Sequence, residues 1–214
     1  MEKVKAVITG VGGYVPEYIL TNEELARMVD TNDEWITTRV GIKERRILKE
    51  EGLGSSYLAR KAAKQLIQKT GVDPQTIDCV ICATTTSDYR FPSNASIVIG
   101  KLGLTNAHGF DVSCACCGFL YTVDMASTFI ESGRYKRVMV IAAEKMSSIV
   151  DYQDRQTCVL FGDGAAAVML EATTEEGVGF QDSFLRTNGI GLPYLHMKAG
   201  GSVCPSSRYT VDHR

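Results

Sequence analysis

The chain has 214 residues, 44% hydrophobic and 22% charged, with 23 basic and 25 acidic side chains and a formal net charge of -2. That composition predicts one soluble globular domain with a substantial core, and near-neutrality gives no electrostatic reason for a nucleic acid or an anionic membrane as partner. No apolar run reaches the ~20 residues that span a bilayer, and "MEKVKAVITGVGGYVP" lacks the layout of a signal peptide, so the expected location is the cytoplasm.

"KAVITGVGGY" is a β-branched run ending in glycines, which predicts a strand entering a turn. In "TNEELARMVD", Thr21 followed by Glu24 reads as a capping box that opens a short helix. From Ser56 to Thr70 the apolar positions Leu58, Ala59, Ala62, Ala63, Leu66 and Ile67 make a helical stripe, and Gly71 is placed to stop it. "DCVICATTT" (78–86) has the wholly apolar character of a buried strand.

A helix follows from Asn94 to Leu102, "HGFDVS" (108–113) reads as a strand, and "RVMVIAAE" (137–144) as another buried strand. "TCVLFGDGAAAVMLEA" (157–172) predicts two strands around a turn at Asp163-Gly164. Strands alternating with helices imply βαβ crossovers and a largely parallel sheet, an α/β class. Residues 186–214 are rich in Gly, Ser and Pro without periodicity and end with no expected helix or strand.

Gly10-Val11-Gly12 after a strand suggests a dinucleotide loop, but that fingerprint needs glycine at position 15 and then a helix. Val15 and Pro16 stand there instead. The seven cysteines (79, 82, 114, 116, 117, 158, 204) are odd in number, in a chain expected to be reduced, and most free thiols are small core residues. Cys79 and Cys82 lie three apart on a strand, so their sulfurs point to opposite faces and cannot share an ion.

Cys114, Cys116 and Cys117 are different. "FDVS" ends a strand, and "GFLYTVDMASTFIES" is a helix whose stripe Phe119, Val123, Ala126 and Ile130 faces a core. The three thiols therefore sit at a strand-to-helix turn. Unpaired N–H groups and the positive end of the helix dipole favour a thiolate there and suit the oxyanion formed at a thioester carbonyl. This geometry nominates a nucleophile without choosing the sulfur. As zinc ligands the three would lack a fourth at any paired spacing, so a metal site is not expected.

"FDVSCACCGF" resembles the nucleophile segment of the β-ketoacyl-acyl carrier protein synthase III family, of the thiolase superfamily. The resemblance implies the α/β, thiolase-like class, with this chain as one half of a duplicated mixed-sheet architecture. Aligned on Asp111, Gly118 and Phe119, it implies Cys116 as the nucleophile, with Cys114 and Cys117 at positions where the family carries small residues.

"VDTNDEWITTRVGIKERR" resembles the coenzyme A mouth, which implies Thr31, Trp35 and Arg39 as binding residues. "DRQTCVLFGDGAAAVML" implies Arg155 as the other face of the adenine clamp and Phe161 beside the acyl tunnel. "RFPSNAS" implies that Phe91 closes the acyl pocket of a homodimer partner.

The implied activity is the initiating condensation of type II fatty acid synthesis: an acyl-CoA, acetyl-CoA foremost, and malonyl-acyl carrier protein give a 3-oxoacyl-acyl carrier protein. Coenzyme A is a substrate carrier, and no metal or redox cofactor is expected. The family's second half supplies a histidine and an asparagine whose segments are not found here, and His108, His196 and His213 take no catalytic role.

The chain thus reads as an amino-terminal half (1–172) and the start of connecting loops (173–214), expected to be unable to condense alone and prone to self-associate. A related thiolase-superfamily acyl-CoA condensing enzyme of secondary metabolism or hydroxymethylglutaryl-CoA type, and a non-catalytic acyl-CoA-binding or dimerising fragment, are the alternatives.

Overall fold

The computed structural model describes residues 4–212, so His213 lies outside the described residues. It divides into two units, Met1–Asp182 and Ser183–Arg214. The first holds β1 (Lys5–Tyr14), β2 (Tyr18–Thr21), α1 (Asn22–Leu25), α2 (Asp33–Val40), β3 (Glu44–Ile47), α3 (Ser55–Thr70), β4 (Cys79–Ala83), α4 (Asn94–Leu102), β5 (His108–Val112), α5 (Gly118–Glu131), β6 (Arg137–Lys145) and β7 (Asp163–Thr173). The second holds a 3-10 turn at Gly189–Gly191 and α6 (Arg208–Asp212), so the final segment does contain a short helix where none was expected. Among the described residues, no helix is long and apolar enough to cross a membrane.

The main sheet has the order β1-β7-β6-β4-β5. β4 runs parallel to β5 and to β6, whereas β7 is antiparallel to β6 and to β1. The sheet is therefore mixed, not largely parallel. α4 and α5 cross between parallel strands, but β7 follows β6 through a loop with no crossover helix, which brings it back in the opposite direction.

One face is covered by α3 and α4, through Ala59, Ala62, Leu66 and Val98, and the other by α5, through Val123, Ala126 and Ile130. Cys82 belongs to the first core and Cys79 to the second, as their spacing on a strand requires. Burial, reinforced by the Asp78 carboxylate, pushes the Cys79 thiol up to about 12, and burial raises Cys82 well above the ordinary thiol range. Both are inert core thiols.

Two elements depart from the sequence reading. β1 passes straight through its glycines instead of turning at them, with a register irregularity between Ile8 and Gly10. A Cβ at Gly12 would lie 2.6 Å from Leu66 N, and one at Gly10 would collide with the Thr70 methyl, so these glycines admit α3 onto the strand. Residues 157–160 form a turn and 161–162 an irregular link, not a strand, while Asp163-Gly164 begin β7 instead of turning; Cys158 and Val159 are buried as turn residues against Leu20, Leu25 and Ile36.

The capping box is half formed. Thr21 Oγ1 accepts from Glu24 N, while the Glu24 carboxylate accepts from the Tyr18 hydroxyl.

Asp163, 4% exposed, opens β7 and accepts from Leu48 N, Ser147 N and Ser147 Oγ at 2.8, 2.9 and 2.6 Å. It ties the β3 end and the loop after β6 to the sheet. Asp163→Ala leaves those buried donors unpaired, and a loss of about 2 kcal/mol is expected in urea unfolding. A midpoint unchanged from the parent would show that the donors find other partners.

Candidate active site

β4, β5 and β6 run parallel and end on the same edge of the sheet, where an α/β fold leaves a crevice at the carboxyl ends of its strands. Cys116 lies just beyond β5 in a 3-10 turn, Ala115–Cys117, that leads into α5. The turn is tight. Ala115 has φ 46°, a left-handed conformation uncommon outside glycine, and the Cys117 N–H donates to the Cys114 carbonyl at 3.2 Å.

Gly118 lets the helix start close to β4, since a Cβ there would stand 3.0 Å from the Ala83 Cβ. Cys116 and Cys117 are exposed and Cys114 is half-buried.

A cleft of 340 Å³ opens over Cys116, lined by Ala83, Phe119, Ala142, Glu144, Gly164 and Ala165 among others. Small residues at the ends of β4 and β6 and the start of β7 make room above the thiol. Of the three clustered cysteines only Cys116 lines the cleft. The N–H groups of Cys117 and Gly118 donate to carbonyls of their own turn, so an oxyanion would have to be met by other donors.

Glu144 is the cleft residue that sequence reasoning missed. Its carboxylate accepts from Thr85 N at 2.8 Å, Thr86 N at 3.1 Å and the Thr86 hydroxyl, which fastens the segment after β4 to the end of β6. The Asp111 carboxylate, at the end of β5, accepts from Asn94 N and Ala95 N at 2.7 and 2.9 Å and caps α4. These bonds fix the strand ends between which the thiol is presented.

A second cluster surrounds Trp35. Asn32 Oδ1 accepts from Trp35 N at 2.7 Å and starts α2, and Gly41 at φ 73° ends it. Arg39, one turn further on, places its guanidinium carbon 4.6 Å from the indole centroid, and Arg155 places its own at 5.2 Å. Arg155 also donates to the Asp30 carbonyl at 2.9 Å.

The Thr31 hydroxyl is buried with no hydrogen-bond partner among the described residues. The Asp33 carboxyl, bonded first by Asn22 and then by Lys43, is held below the ordinary carboxylate range. Beneath the cluster the buried Arg45 donates to Leu20 O, Asn22 Oδ1 and Val159 O, and desolvation lowers its pKa.

The structure therefore brings Trp35, Arg39 and Arg155 together, and sets Cys116 in a separate cleft. Phe161 is half-buried beside Gly162, and Phe91 is 85% exposed ahead of α4; neither lines the cleft. His108 stands at the opposite end of β5 from Cys116, bonded to the Asp78 carbonyl and to Tyr135. No group of three or more His, Cys, Asp or Glu side chains suited to a metal ion occurs among the described residues.

A sheet of this order with helices on both faces, and a thiol at a strand-to-helix turn beyond its parallel strands, define a thiolase-like α/β fold. The family model described as 3-oxoacyl-[acyl-carrier-protein (ACP)] synthase III matches residues 110–189.

The chain is 68% identical over 214 residues to the β-ketoacyl-[acyl-carrier-protein] synthase III of Phocaeicola vulgatus, covering 100% of this chain and 64% of that relative. Among solved structures, the Thermus thermophilus synthase III superposes with a TM-score of 0.85 at 39% identity, over 89% of this chain and 58% of that one. The Aquifex aeolicus VF5 synthase III does so with 0.77 at 49%, over 80% and 55%. The chain is thus similar over its whole length to relatives named β-ketoacyl-[acyl-carrier-protein] synthase III, and spans 64% of the length of the curated relative it matches.

Proposed function

We propose that the chain carries the acyl-accepting machinery of the initiating condensing enzyme of type II fatty acid synthesis. The observation that carries this reading is the exposed Cys116 at the strand-to-helix turn, facing a cleft of small residues at the ends of parallel strands. The Cys116 thiolate attacks the thioester carbonyl of an acyl-CoA, the tetrahedral intermediate collapses, and coenzyme A leaves as its thiolate. The acyl-enzyme is then attacked by the enolate that decarboxylation of malonyl-acyl carrier protein releases, giving a 3-oxoacyl-acyl carrier protein and carbon dioxide.

The first half-reaction draws on the thiol and on oxyanion donors other than the Cys117 and Gly118 N–H groups, with coenzyme A as the carrier that brings the acyl group. The second needs a polar group to stabilise the enolate, and His108 is at the wrong end of β5 to serve. Condensation is accordingly assigned to a longer protein that adds such groups, working in the cytoplasm with acyl carrier protein as partner. The exposed Phe91 is the surface through which a second copy would close the acyl pocket.

Trp35 is the platform for the adenine of coenzyme A. Arg39 is placed to meet phosphate and Arg155 to form the other face of the adenine clamp, and the Thr31 hydroxyl, without a partner among the described residues, lines the same mouth. Stacking of a base on an aromatic ring is worth about 1–3 kcal/mol, so Trp35→Ala is expected to weaken acetyl-CoA binding by roughly tenfold or more in calorimetry. An unchanged dissociation constant would remove Trp35 from the mouth.

The test of the whole reading is intact mass and peptide mapping after incubation with acetyl-CoA. One acetyl group on Cys116 is expected. Its absence would mean that this chain is not an acylating unit.

A further inference from the structure

Acyl transfer uses one thiol of the turn and leaves two unexplained. Cys114 and Cys117 bracket Cys116 without lining its cleft. The bond from Cys117 N to the Cys114 carbonyl, 3.2 Å long, closes residues 114–117 into a single turn. Such a turn holds its first and last Cα atoms within about 7 Å, and disulfides span about 4.4–6.8 Å between Cα atoms. Adjacent Cα atoms are only ~3.8 Å apart, so a Cys116–Cys117 bridge falls below that range.

Cys114-Ala115-Cys116-Cys117 thus contains a Cys-x-x-Cys spacing set between β5 and the 14-residue helix α5, the spacing of dithiol redox pairs. The same spacing at Cys79 and Cys82 cannot act this way, because those thiols are buried in separate cores on opposite faces of the sheet. Cys114 is half-buried and Cys117 exposed, so a small reagent reaches the pair.

We propose that Cys114 and Cys117 form a covalent modification site, closed to an intrachain disulfide across the nucleophile turn by a small-molecule disulfide. The Cys117 thiolate attacks one sulfur of the reagent, whose S–S bond breaks and releases one thiolate, leaving a mixed disulfide on Cys117. The Cys114 thiolate then attacks the Cys117 sulfur and expels the second thiolate. The two cysteines give up two electrons and two protons, and the reagent becomes two thiols.

The site is independent of whether Cys116 accepts an acyl group. It would let the redox state of the surroundings set the rigidity of the turn that carries the nucleophile.

The experiment is incubation of the dilute chain with oxidised glutathione, acid quenching, alkylation, and fragmentation mapping. The expected result is a Cys114–Cys117 link with loss of the mass of two hydrogens from that pair, Cys116 outside the link as an alkylated thiol or a separate glutathione adduct, and full reversal by dithiothreitol. Cys116→Ser should keep the link, while Cys114→Ser and Cys117→Ser should each stop at a glutathione adduct on the remaining thiol. A link through Cys116, bridges only between chains, or a wild-type chain that stops at glutathione adducts would each overturn the proposal.

Discussion

Gly12→Ala is expected to destabilise the fold by about 3 kcal/mol or more, a fall in melting temperature of roughly 10 °C for a domain of this size. The added Cβ would stand 2.6 Å from Leu66 N and 2.9 Å from Leu66 Cβ, and closer still to the Ala62 carbonyl oxygen. Two of these three atoms are helix backbone, so no rotamer change relieves the contact. Either α3 withdraws from β1, uncovering the buried Ala62 and Leu66, or β1 shifts in its register against β7. Gly13→Ala is the control: its Cβ would meet only Ala165 O, at 3.7 Å, and a change within about 1 kcal/mol is expected. Equal melting temperatures for the two variants would refute the close packing of α3 on β1.

This pair of glycines also shows where the sequence stops being informative. Within β1 they look like a turn because local chemistry permits one. What forbids larger residues is a helix some fifty positions later in the chain. Helices α3 and α4 are legible because their determinants are local: they end at Gly71 and Gly103, both at φ 66°, and their apolar stripes bury as the periodicity requires.

The run 157–162 reads as a strand for the opposite reason. Cys158 and Val159 are as buried as strand residues, but against the small β2–β3 layer and not in the sheet. That layer went unseen because strands of four residues such as "ERRI" show no alternation that separates them from loop.

At the site, the strand, turn and helix that carry the candidate nucleophile are legible in succession. Local geometry does not choose among the three sulfurs, and only the aligned motif implies Cys116, since the choice depends on which side of the turn meets the cleft formed by β6 and β7. Glu144 was invisible as a site residue. At the end of an apolar strand a glutamate reads as a solvated terminus, and its function comes from Thr85 and Thr86 on the neighbouring strand's exit.

Cys116→Ser is expected to lower acetyl transfer from acetyl-CoA by about a thousandfold or more, to the limit of detection by mass. A serine hydroxyl at this position has the same approach to the cleft but needs a general base to become a nucleophile. The ionisable side chain lining the cleft, Glu144, is occupied by the Thr84–Thr86 segment. Cys114→Ala and Cys117→Ala remove thiols that do not line the cleft and should keep the acetyl group on Cys116. Melting temperatures of the three variants near the parent would show that the turn still folds. Acetyl found on Cys114 or Cys117 in the parent, or persisting in Cys116→Ser, would move the nucleophile off the cleft, and the small-residue floor made by Ala83, Ala142 and Gly164 would then need a different explanation.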